Sequence, residues 1–143
     1  MRAVYRYWAA IVFLAVVVQV GFAGYGAFDV AGTTSDGGTV DEDAVMDSFE
    51  PHLILGYLIV LATLLLLVFA FAARIGRPRL VRTAALFGLL ILQVLLAWFG
   101  YEVPVIGFFH PVNALLIFGL SGSIAWSEWR GEAATLERPA PAP

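Results

Sequence analysis

The chain lacks cysteine and lysine altogether, and only 13% of its residues are charged. Without cysteine it forms no disulfide, no thiolate metal site and no cysteine nucleophile. Soluble domains contain about 45–50% apolar and about 25% charged residues. This chain of 143 residues is 61% hydrophobic, with a mean hydropathy of +0.87. The composition therefore excludes an ordinary soluble domain.

Four apolar runs dominate the sequence, and each is long enough to cross the ~30 Å hydrocarbon core as a helix rising ~1.5 Å per residue. The runs are continuous in Leu, Ala and Val instead of alternating, so they predict helices and not strands. We predict an all-α membrane protein whose domain, 1–137, is a four-transmembrane-helix bundle. The expected segments are helices at about 8–28, 52–73, 80–101 and 104–127, an acidic outer loop at 29–50, and a Pro/Ala-rich tail at 138–143.

The charges are segregated along the chain. Acidic residues occupy the connection after the first run, from Asp29 to Glu50, and Glu102 follows the third run. All basic residues lie before the first run, between the second and third, or after the fourth. These are Arg2, Arg6, Arg74, Arg77, Arg79, Arg82, Arg130 and Arg138. By the positive-inside rule, both termini are expected in the cytoplasm of a multi-pass protein of the prokaryotic plasma membrane.

A weak internal repeat divides the chain into two helix pairs. The segment from Gln19 to Gly26 matches the segment from Gln93 to Gly100 in Gln, Val, Ala and Gly. The second helix of each pair then carries a histidine near its outer end. Two helix-pair repeats predict a pseudo-two-fold axis along the membrane normal.

The only two histidines, His52 and His110, are the strongest candidates for chemistry. In a bundle with this symmetry their helices lie diagonally across the core, so the two imidazoles can face each other. Two neutral nitrogen ligands on separate helices are what the iron of a haem b needs. Gly56 and Ala114, each four residues after a histidine, would leave room for the ring.

Other interpretations of these residues stay open. An interfacial histidine can be purely structural, and a zinc site would need Glu50 as a further ligand. Gln19 and Gln93 are expected to make interhelical hydrogen bonds or to contact a haem edge or a quinone. Pro51 suggests the first turn of the second helix.

The layout resembles one four-helix half of the haem A synthase family, in which histidines at the outer ends of the second and fourth helices bind haem. His52 and His110 match those positions. The family's motif has Glu three residues before its histidine and Arg directly after it, where this chain has Phe49 and Leu53. The resemblance therefore implies a haem pocket without the family's oxidative chemistry. The chain also resembles small uncharacterised prokaryotic four-helix membrane proteins through its segment His110–Gly119.

We accordingly predict a membrane cytochrome with one haem b, held by His52 and His110 near the outer face, for electron transfer or haem handling. The alternatives are a half-size haem A synthase-like oxidase and a cofactor-free accessory subunit of a membrane complex. Enzymatic activity by the chain itself is left open and is not favoured. The expected partners are the lipid bilayer and either a second copy or a larger respiratory complex, with no nucleic acid.

Overall fold

The fold is entirely helical over the part of the chain that the computed structural model describes, which is residues 1–136, with side chains up to Arg130. The helices are α1 (Arg2–Ser35), α2 (Glu42–Ala72), α3 (Arg77–Glu102), the single turn α4 (Pro104–Gly107) and α5 (Phe109–Leu136). By length and composition, four spans can cross a membrane, the fourth formed by α4 and α5 together. The chain thus has the architecture of a multi-pass membrane protein. The tail expected at 138–143 lies outside the described residues.

The four long helices form a bundle in which each packs against two neighbours. Helix α1 contacts α2 and α5, and α3 contacts the same two helices. Helices α2 and α5 therefore lie diagonally across the bundle, as do α1 and α3. This diagonal arrangement brings the two histidine-bearing helices to opposite sides of one core.

The connection expected as a loop at 29–50 is mostly helical. Helix α1 continues to Ser35 and α2 begins at Glu42, so only six residues separate them. The Asp41 side chain caps α2 by accepting a hydrogen bond from the Ala44 N–H at 2.9 Å. Apolar runs mark the part of a helix that lies in lipid, whereas helical hydrogen bonding continues into water wherever no residue interrupts it. Beyond the apolar runs, the Ser48 hydroxyl donates to the Asp29 carboxylate at 2.7 Å and holds the two extensions together.

The prolines near the histidines differ in their effects. Pro51 lies inside α2, nine residues after its first residue, and not in its first turn as expected. Because proline has no N–H, α2 lacks the hydrogen bond from residue 51 to the Asp47 carbonyl. Pro111 lies in the first turn of α5, which begins at Phe109 after a break at Phe108. The fourth span thus restarts next to His110.

The buried positions of the two helix pairs correspond. In α1 and α3, three buried residues have buried counterparts 74 positions later: Ala9, Val12 and Val16 against Thr83, Leu86 and Leu90. In α2 and α5 the spacing is 58 positions: Ile59, Thr63 and Leu66 against Ile117, Ser121 and Ile124. The same two spacings relate Gln19 to Gln93 and His52 to His110. The match seen between the sequence segments therefore extends to the faces that form the core.

In each helix pair one glycine allows a close approach between helices, at the end of the bundle that carries the histidines. A Cβ on Gly26 would lie 2.8 Å from the Phe49 ring on α2. A Cβ on Gly100 would lie 2.6 Å from the Gly107 Cα on α4. Since backbone cannot move aside as a side chain can, residue 100 has to be glycine for α3 and α4 to meet.

Gly100→Ala should destabilise the protein by about 1–3 kcal/mol, because the added methyl overpacks the contact with α4. Gly88→Ala, on the exposed face of the same helix with nothing within 4 Å of the new atom, should be neutral or stabilising by up to about 1 kcal/mol. Unfolding of both variants in detergent, followed by circular dichroism, compares them. Equal stability of the two variants would contradict the close approach.

Candidate functional site

The two histidines face each other across one end of the bundle. His52 extends from α2 and His110 from α5, and their ring centroids are 6.3 Å apart with an angle of 60° between the planes. Both side chains are half-buried. Residues separated by 58 positions in the sequence thus form one pair of imidazoles at a common depth.

Each imidazole is held by a backbone carbonyl of the neighbouring helix. The distance from His52 Nδ1 to the Gln19 oxygen is 3.2 Å, and that from His110 Nδ1 to the Gln93 oxygen is 3.1 Å. A carbonyl only accepts, so each Nδ1 carries the proton and donates it. In the neutral tautomer the Nε2 lone pair of both rings is then available to a metal. Metal-bound histidines are commonly oriented by such a bond from the other ring nitrogen.

The separation of the rings suits a single metal ion between them. Two nitrogens bound at about 2 Å each are about 4 Å apart, and the ring centres behind them are then about 6 Å apart. The angle of 60° is compatible with two rings rotated about a shared axis. No group of three His, Cys, Asp or Glu side chains that could hold a metal ion occurs within the described residues, so Glu50 does not complete a zinc site. A haem needs only two ligands from the protein, because the porphyrin supplies four nitrogens.

Gln19 and His52 are joined by reciprocal hydrogen bonds. The Gln19 side-chain amide donates to the His52 carbonyl at 2.8 Å, while the His52 ring donates to the Gln19 carbonyl. A Cβ on Gly56 would lie 3.1 Å from Gln19 Nε2. Gly56 therefore makes room for the glutamine amide, and its expected role in leaving space for a ring stays a prediction.

The second half fixes its imidazole with a different network. Asn113 Nδ2 donates to Gln93 Oε1 at 2.7 Å and to the Leu89 carbonyl at 2.9 Å. The residue 58 positions before Asn113 is Leu55, which has no polar side-chain atom. Because the Gln93 side chain bonds to Asn113, it leaves space beside residue 114. That residue can therefore be alanine, where the first half has Gly56. The sequence signal for Asn113 was a polar residue one turn after His110 within an apolar run.

Two acceptor oxygens beside this layer have no hydrogen-bond partner among the described residues. They are Gln19 Oε1 and Asn113 Oδ1, and both are buried. An unpaired acceptor in an apolar core costs roughly 1–3 kcal/mol. Each of these two oxygens could therefore accept a hydrogen bond from a group outside the protein.

Comparison with known proteins finds one family. A family model described as a family of unknown function (DUF6220) matches residues 19–100, more than half of the 143 residues. The matched part contains Gln19, His52 and Gln93 and ends before His110. No curated protein and no solved structure matches the chain. Nothing found names the haem A synthase family, so that resemblance stays a prediction.

Gly56→Val should displace the Gln19 amide and change the environment of His52 while leaving His110 unaffected. Imidazole ¹⁵N shifts of histidine-labelled protein measure this, and in the parent protein both rings should have protonated Nδ1. Gly119→Val, with open space around its new side chain, is the matched control. Equal shift changes at both histidines would show that the two halves are not held independently.

Proposed function

The chain belongs to the family of unknown function DUF6220, and on that premise we propose that it is a membrane-bound cytochrome of the b type. One haem b would be held between His52 and His110, near the outer face of a bundle built from two helix pairs. When bound, the haem iron supplies one-electron transfer. The protein would pass electrons as a homodimer or within a larger respiratory complex, or it would hold haem for delivery.

The observation that carries this proposal is the pair of imidazoles, 6.3 Å apart on diagonal helices. Their Nδ1 bonds to carbonyls of α1 and α3 orient both rings before any ligand enters. Such preorganisation reduces the entropy that ligand binding would otherwise cost. Gln19 and Gln93 serve as positioning residues in this scheme, since each contributes the carbonyl that holds one ring.

Small residues give further support for a flat ligand at this end. Ala23 and Ala97 follow Gln19 and Gln93 by one turn on the corresponding faces of α1 and α3. Both are only half-buried, whereas Val16 and Leu90, one turn inward from the glutamines, are buried. The core is thus less tightly packed on the outer side of the histidine layer. The outer end has no arginine, so the haem propionates would remain in water.

The geometry favours electron transfer over the oxidase activity of haem A synthase. If both His52 and His110 bound the haem iron, no coordination position would be left for oxygen or substrate. Phe49, in the place of that family's Glu, packs against Gly26 and contacts the His52 ring edge-on at 6.3 Å between centroids. Glu50 is exposed and supplies no carboxylate to the site.

The arrangement of charge supports an orientation with both termini in the cytoplasm. The beginning of α1, the α2–α3 turn and the end of α5 carry the arginines, and the opposite end of the bundle carries most of the acidic residues. Arginine-rich ends remain on the cytoplasmic side during insertion. We therefore place the protein in the prokaryotic plasma membrane with the histidine pair near the outer surface.

Purified protein supplied with haem b should show the optical and electron paramagnetic resonance spectra of a six-coordinate low-spin haem. His52→Ala and His110→Ala should each lose the low-spin signal, and free imidazole should restore it by occupying the empty axial position. Tyr101→Ala, an exposed aromatic at the same end, is the control and should retain it. A folded protein that binds no haem would contradict the cytochrome proposal and leave the cofactor-free accessory subunit as the alternative.

The absence of cysteine allows a direct test of orientation. Thr33→Cys, at the acidic end, should react in intact cells with a thiol reagent that cannot cross the membrane. Ala72→Cys, at the arginine-rich end, should react only after permeabilisation. Both positions are exposed. The reverse labelling pattern would invert the proposed topology.

A further inference from the structure

The turn between α2 and α3, at the arginine-rich end, forms a groove that the proposed function does not use. Gly76 has φ +91°, a conformation that glycine adopts without strain, and the chain reverses there into α3. The groove has a volume of about 340 Å³, and its walls combine two guanidinium groups with apolar side chains. The arginines are Arg74 and Arg77, and the apolar walls include Phe71, Ile75 and Leu80.

The arginines of this groove differ from Arg79, Arg82 and Arg130, which lie at the same end of the bundle. Arg79 pairs with Glu128 at 3.4 Å, and Arg82 donates to the Ser123 hydroxyl at 2.8 Å. Arg130 stacks over the Trp126 ring at 5.0 Å. Within the described residues, Arg74 and Arg77 have no carboxylate, hydroxyl or aromatic partner. Two positive charges therefore line the groove, with no counter-charge beside them in the part of the chain that the structure describes.

The backbone around the groove adds to its attraction for an anion. No side chain caps the N-terminus of α3, and its first turn contains no acidic residue. The N–H groups at a helix N-terminus carry partial positive charge. Among the described residues, the charged side chains that line the groove are both positive.

We propose that this groove binds an anionic phospholipid, whose phosphate is held between the Arg74 and Arg77 side chains. Both arginines lie at the boundary of the apolar spans, where lipid headgroups are found. The exposed Phe71 side chain and Leu80 continue from the arginines along the spans, where acyl chains lie. Positive charge beside an apolar wall matches an amphiphile with a negative headgroup, and a soluble anion would gain nothing from Phe71. The site is independent of haem binding at the other end of the bundle.

Native mass spectrometry of delipidated protein in neutral detergent tests the proposal. The probes are phosphatidylglycerol and phosphatidylcholine with identical acyl chains, offered at equal concentration. The unmodified chain should retain phosphatidylglycerol in preference to phosphatidylcholine. The double variant Arg74→Gln/Arg77→Gln should reduce this preference by about tenfold, because each arginine near the headgroups increases the affinity for an anionic lipid severalfold. Arg2→Gln/Arg130→Gln removes the same charge elsewhere at this end and should keep the preference.

Two further measurements distinguish loss of charge from loss of folding, and binding of the whole lipid from binding of its headgroup alone. Arg74→Lys/Arg77→Lys keeps the charge and should keep most of the preference, which tests the proposal even if the glutamine variant fails to fold. Glycerol phosphate, which has no acyl chains, should not displace the lipid at concentrations matched to it. The proposal is overturned if both double glutamine variants lose the preference equally, if neither does, or if glycerol phosphate competes as well as the lipid.

Discussion

The hydrogen bond from each histidine ring to a glutamine backbone carbonyl is the contact on which the arrangement of this end of the bundle depends. It joins α1 to α2 through Gln19 and His52, and α3 to α5 through Gln93 and His110. In an apolar environment an unpaired imidazole N–H is costly, so the bond determines both the direction of the ring and its tautomer. The same bond leaves Nε2 without a proton and aimed away from the supporting helix. Structural support and readiness for a ligand therefore come from one interaction.

The two halves reach this common geometry by different means. In the first half, the absence of a side chain at Gly56 lets the Gln19 amide reach the His52 carbonyl. In the second half, Asn113 takes up the Gln93 side chain and leaves space for Ala114. The two ring positions are thus related by symmetry, but the hydrogen-bond networks that hold them are not. Such a difference would give the two ligands of a shared cofactor unequal freedom.

Opposite ends of the bundle present opposite chemistry. The histidine end combines acidic helix extensions with half-buried imidazoles and small residues. The other end combines Arg79 and Arg82, which join α3 to α5, with Arg74 and Arg77, which line the groove at the α2–α3 turn. A helix bundle of this size has little polar surface, and almost all of it is at these two ends. Function is therefore expected at the ends, with the apolar middle serving as the support.

How far the helices extend could be predicted only in part. The apolar runs identified the four spans because length and hydropathy are local properties of the chain. They missed the polar extension of α1 to Ser35 and the start of α2 at Glu42, since helical hydrogen bonds do not require apolar side chains. The prediction that Pro51 lies in the first turn of α2 was wrong for the same reason. The position of Pro51 within the helix depends on where α2 begins, and Asp41 determines that by capping its N-terminus. The start of α5 next to His110 was foreseeable because proline is favoured in the first turn of a helix, where its missing N–H leaves no intrahelical hydrogen bond unmade.

By itself, the sequence determined the number of spans, the segregation of charge and the identity of the two histidines as candidate ligands, because each follows from composition and spacing along the chain. Only the tertiary structure decided that the imidazoles lie 6.3 Å apart, that carbonyls of Gln19 and Gln93 hold them, and that Gly56 accommodates an amide. These depend on which helices are neighbours and how each is rotated about its axis. Rotation is set by the packing of whole helix faces, which no single segment contains.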